Sequence, residues 1–99
     1  MNARRYSRET EEAAKALAVK INDALAYAPP SQWGARLVEA VHGCGWNVWS
    51  CYDEAVGDGA RWTQPHGGKA RAVRNSAAHI HTLSVSINAG KPAYVGGRK

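Results

Sequence analysis

The sequence predicts an α+β fold, with two N-terminal helices packed on one face of a small antiparallel β-sheet of three to four strands. Three observations carry that prediction. Apolar residues recur every three to four positions as far as His42, then every second position from Gly45 onward. Pro29-Pro30 divides the front part of the chain, because proline lacks the N–H that a helix interior needs. Clusters rich in Gly and Pro then punctuate the rest at short intervals. Ninety-nine residues is the length of one domain. Residues 1–99 are therefore read as a helical part 7–43, a β part 45–95 and a frayed basic tail 96–99.

The first helix is expected over 7–27. Ser7 suits an N-cap, since its hydroxyl can accept a hydrogen bond from an orphan N–H. Glu9, Glu11 and Glu12 follow where the helix dipole favours negative charge. Ala13, Leu17, Ile21 and Leu25 form the apolar stripe. Ser31 should start a second helix that runs to about His42, with Trp33, Leu37 and Val41 on one side. Gly43 fits the left-handed position that often ends a helix.

Beyond Gly45, Trp46, Val48, Ser50 and Tyr52 alternate with Asn47, Trp49 and Cys51, which reads as a strand. Gly57-Asp58-Gly59 is a turn signal, and Arg61–Gln64 a short second strand. Pro65–Gly68 reads as a loop, and Ala70–Arg74 as either a strand or one helical turn. Residues 78–87 form the most regular alternation. His79, His81, Leu83, Val85 and Ile87 share one side of it. Ala93–Val95 is a candidate edge strand after the Asn88–Pro92 turn. Packed on the helices, such a sheet leaves Trp49 on its open face beside Asn47 and Cys51, and turns Trp46, Val48 and Tyr52 of the first strand and Leu83, Val85 and Ile87 inward.

Charge is distributed unevenly. Residues 1–60 hold six basic residues and all eight acids, while 61–99 hold seven basic residues and no acid. The net +5 thus conceals an acidic front and a basic back. Such asymmetry suits a phosphate-bearing partner or an acidic protein surface, although a solvated basic face is the simpler account. No apolar run is long enough to span a bilayer and no signal peptide is visible at the start, so a cytoplasmic location without membrane attachment is expected. Cys44 and Cys51 do not make a disulfide framework.

An open sheet face bearing Trp beside a cationic stretch is one way that single-stranded nucleic acid is held. Bases stack on aromatic rings and cations track the phosphates. The candidate binding residues are Trp49, Arg61, Trp62, Lys69, Arg71 and Arg74. His79-Ile80-His81 is a second constellation, because alternate residues of a strand point the same way. Such a pair serves a metal or general acid–base chemistry, though no further ligand spacing supports a metal and none is expected, nor any cofactor. Two hydrogen-bonded histidines at the polar end of a core strand are the plainer account.

A metal-free ribonuclease would use His79, His81 and His66 for proton transfer and Arg71 or Arg74 on phosphate. In outline the chain resembles the HicA-type toxins. It has a helix, then Gly45-Trp46 opening a strand, a histidine-bearing strand, and Gly90-Lys91-Pro92 at a turn. That resemblance spans about half the chain and implies a toxin-like nuclease. The family's Gly-Ser-His run is replaced by Ser76-Ala77-Ala78-His79, and a long insertion separates the two strands. There is no P-loop, dinucleotide fingerprint, nucleophile elbow or zinc-protease motif.

Three functions follow. The first is a small, non-enzymatic basic binding protein that engages RNA, DNA or a nucleic-acid-handling complex through a cationic, Trp-bearing surface. The second is an inhibitor or adaptor of phage or mobile-element type, anti-CRISPR-like, acting by protein–protein binding on an acidic surface. The third is the ribonuclease.

Overall fold

The computed structural model describes residues 6–57, 62 and 64–90. Ser7 caps the first helix, α1 (Arg8–Leu25), its Oγ accepting from the Thr10 amide at 3.1 Å. Glu9 and Glu11 occupy the first turn, and Ala14, Leu17, Ala18, Ile21 and Leu25 are buried along one side. Pro29 and Pro30 end the run, and a 3-10 turn, Pro30–Gln32, leads into α2 (Trp33–Ala40). The Trp33 indole N–H donates to the Ala28 carbonyl at 2.8 Å and fixes the angle of that link. Gly43 stands at φ 72° and Gly45 at φ 90°, conformations in which a side chain would be strained.

The rest of the described chain corrects the predicted sheet. Residues 46–52, read as a strand, lie in α3 (Trp46–Val56). Ala70–Arg74, read as strand or helical turn, belongs to α4 (Gly67–Arg74), which also takes in Gly67 and Gly68 from the expected loop, and 78–87 lies within α5 (Ala77–Ile87). Among the described residues there is no strand, so the fold is helical rather than α+β. Trp62 and Gln64, from the expected second strand, lie outside any regular element. Arg61, Thr63, the candidate strand 93–95 and the tail 96–99 lie outside the described residues.

The physical reason is a shared periodicity. In α3, Trp49, Tyr52 and Ala55 are buried at spacings of three, and in α5 Leu83, Ser86 and Ile87 are buried at three and four. A short apolar run fits either period, and what it packs against decides the outcome. A strand also needs a partner for its N–H groups, whereas a helix satisfies its own. The side chains sort accordingly. Cys51, expected on an open face, is fully buried, while Trp46 and Val85, expected inside, are about half exposed at 50% and 57%.

α1 lies between α3 and α2, and α2 in turn packs against α4 and α5, which touch each other. One core runs through these contacts, built on Leu17, Ile21, Leu37, Tyr52, Val73 and Ile87. The loop between α2 and α3 is strapped to the end of α5. The Gly43 amide donates to the Ser86 carbonyl at 2.8 Å and the Gly45 amide to the Ile87 carbonyl at 2.9 Å. The Gly45 amide meets a carbonyl of the kind the last turn of a helix leaves open, and the Ser86 carbonyl also accepts from the Ala89 amide at 3.1 Å. The buried Ser86 hydroxyl donates to the Val38 carbonyl of α2 and ties the two helices again. No helix among the described residues is long and apolar enough to cross a membrane.

Candidate functional site

The residues expected to bind a partner are largely turned inward. Trp49 is 5% exposed, and its ring packs 5.7 Å from that of Tyr52 at a 38° tilt. It offers no open face for stacking, because α3 directs it into the core rather than to the outside of a sheet. Trp62 is half-buried against the same core, with its amide donating to the Ala55 carbonyl at 3.1 Å.

The cations behave similarly. Lys69 Nζ donates to the Leu25 carbonyl at 2.9 Å and to that of Ala26 at 3.5 Å. It also lies 5.7 Å from the centroid of the Trp33 ring. The last turn of α1 has no basic residue of its own. Lys69 therefore brings from α4 the positive charge that a helix C-terminus favours. Arg74 Nη1 pairs with the Asp53 carboxylate of α3 at 3.3 Å. Its Nε is buried without a partner. Arg71 is half-exposed in the middle of α4. Arg61 lies outside the described residues.

The histidines are not brought together as a strand would bring them. Successive helical residues turn by about 100°, so His79 and His81 point about 200° apart. The His79 ring is pressed on the Gly34 backbone of α2, whereas His81 is exposed. His66 precedes α4, and its amide donates to Asn22 Oδ1 at 3.4 Å. Asn22 also donates to the Gln64 side chain, so one α1 residue holds both. Among the described residues no three His, Cys, Asp or Glu side chains are grouped to hold a metal. Cys44 is half-buried, its thiol donating to the Gly45 carbonyl at 3.4 Å, and Cys51 is buried. The HicA-type outline loses its histidine-bearing strand, since that segment is α5.

A different surface stands out on α5. Over its eleven residues the helix carries no Lys, Arg, Asp or Glu. Ala77, Ile80, His81, Ser84 and Val85 fall at i, i+3, i+4, i+7 and i+8 along one side of the helix, all exposed but the half-buried Ser84. Ile80 is 55% exposed and Val85 57%. Sequence reasoning missed this face because alternation assigned Val85 to the core. The available signal was the length of the uncharged run, which suits a helix covered on two sides.

Trp46, 50% exposed, opens α3 immediately after the Gly45 strap and so stands at the C-terminal end of α5. Two open grooves lie elsewhere on the described surface. One, of about 620 Å³, runs along α2 past Arg36, Glu39 and His42 to Ser86. The other, of about 360 Å³, lies over Ala13, Leu17 and Lys20 beside Cys44. Neither gathers the residues of a recognisable reaction centre. No protein family, curated protein or solved structure matches the chain.

Proposed function

We propose that this chain is a small binding protein that docks on a protein partner through the outer face of α5. The observation that carries the reading is the uncharged helix itself, with Ile80 and Val85 more than half exposed among Ala77, His81 and Ser84. Charged residues are depleted at the centres of protein interfaces, and apolar side chains placed there gain most from desolvation. The inward contacts of Lys69 and Arg74, and the burial of Trp49, weigh against a cationic stacking surface for single strands. The reading keeps the inhibitor or adaptor class and a cytoplasmic location, a compartment in which cysteines such as Cys44 and Cys51 stay reduced.

A photo-crosslinking residue placed at Ser84 should capture a protein in cells, and one placed at Glu12 on α1 should not. Ile80→Glu with Val85→Glu should abolish the capture while leaving the thermal transition in place, since both side chains are exposed. In parallel, single-stranded and duplex oligonucleotides are titrated over a salt series. Tight binding that falls steeply with salt is the signature of phosphate contacts. That result, or capture unaffected by the double substitution, would overturn the reading.

A further inference from the structure

Resting on that docking reading, we infer that the partner of the α5 face is a second copy of this chain, the two helices lying antiparallel about a two-fold axis level with Leu83. The first observation is the pattern of exposed residues. Ala78, His81, Val85 and Asn88 are all exposed. At about 100° per residue they fall within one arc of about 80° around the helix. Thr82 and the half-buried Ser84 flank that arc on its two sides. An antiparallel copy centred on position 83 sets His81 against Val85 of the second copy, and Ala78 against Asn88. A two-fold axis makes each of these contacts twice, as a self-complementary interface requires.

The second observation is electrostatic. α5 has no acid in its first turn, no side-chain cap at its start and no basic residue in its last turn. Its partial positive N-terminal end and partial negative C-terminal end are thus not opposed by any charged side chain of its own. An antiparallel copy lays each end beside the opposite end of its mate, so the helix is its own electrostatic complement. A parallel copy would set like ends together. Each copy also carries a net charge of +5, and two such molecules repel in general. Residues 75–90 hold no Lys, Arg, Asp or Glu, so contact along α5 is opposed least. The helix is short, about 16 Å at 1.5 Å per residue, which makes the contact smaller than that of a permanent dimer. The association is therefore reversible and depends on concentration.

Sedimentation velocity of the full chain from micromolar to millimolar concentration should show a monomer passing into a dimer. Val85→Lys and His81→Glu should each weaken that association by on the order of tenfold, because each covers an unpaired charge. Both side chains are exposed, so the thermal transition should stay in place. Mixed in equal amounts, the two variants should associate more tightly than either does alone. In the antiparallel register the introduced ammonium then faces the introduced carboxylate. A chain that stays monomeric at millimolar concentration, a dimer unaffected by Val85→Lys, or a mixture no tighter than its components would each overturn the inference. In cells, the protein captured from Ser84 should be the chain itself, at twice its mass. Capture of a different protein by a chain that stays monomeric removes only this inference. No capture from Ser84 together with no self-association removes the docking reading as well.

Discussion

Lys69 reaches from α4 to the end of α1, where its Nζ lies 2.9 Å from the Leu25 carbonyl oxygen. The contact joins a cation from the acid-free part of the chain to the negative end of a helix from the acidic part. Lys69→Met should lower stability by about 1.5–3 kcal/mol, the range for a hydrogen bond made by a charged group. Urea unfolding of the two proteins measures the difference. An unchanged midpoint would show that water replaces the ammonium at no cost.

Gly34 of α2 and His79 of α5 face each other closely. A Cβ at position 34 would lie under 3.0 Å from Cε1, Nε2 and Nδ1 of the imidazole. Gly34→Ala should cost about 1–3 kcal/mol through overpacking, against a gain of up to about 1 kcal/mol from helix propensity. Gly34→Ala combined with His79→Ala should be more stable than the two single losses add up to. A double-mutant cycle measures this coupling, and strict additivity would rule out the contact.

Tyr52 is 1% exposed and its hydroxyl has no partner. Burial first, and the neighbouring Asp53 carboxylate second, push its phenol up to about 12. The folded state thus holds the proton more tightly than the unfolded chain. The stability linked to this group is intact below about pH 10 and is lost as the pH rises through about 12. Tyr52→Phe should flatten the loss of stability in that window. At neutral pH it should leave stability unchanged or raised, because the phenol makes no hydrogen bond that the substitution would remove. Thermal melts of both proteins from neutral to strongly alkaline pH make the comparison.

The front of the molecule was legible in the sequence. Ser7 as cap, the stripe through Leu17, Ile21 and Leu25, the Pro29-Pro30 stop and the left-handed Gly43 all stand in the structure. These are local signals, and neighbours in sequence suffice to set them. The second part was misread because Trp46–Tyr52 and Ala78–Ile87 satisfy two periods at once, and the choice between them depends on α1 and α2 as packing surfaces. The charge split was read correctly as a pattern. Part of its use inside the fold, through Lys69 on α1 and Arg74 on Asp53, depends on contacts between segments far apart in sequence.

The Gly43–Gly45 strap has a consequence for assembly order. By bonding to Ser86 and Ile87 it closes the chain from α3 through α5 into a ring. Closing so long a loop carries an entropic penalty that a contact between adjacent helices does not. The pairing of α1 with α2 can form first, and the ring is sealed only when the end of α5 arrives. Pulsed hydrogen exchange during refolding should protect α1 amides before those of Gly43 and Gly45, and simultaneous protection would exclude the order. Once sealed, the ring makes α5 the keystone of the second half. A partner seated on its outer face would press on the last piece to be set, and would hold the closure shut.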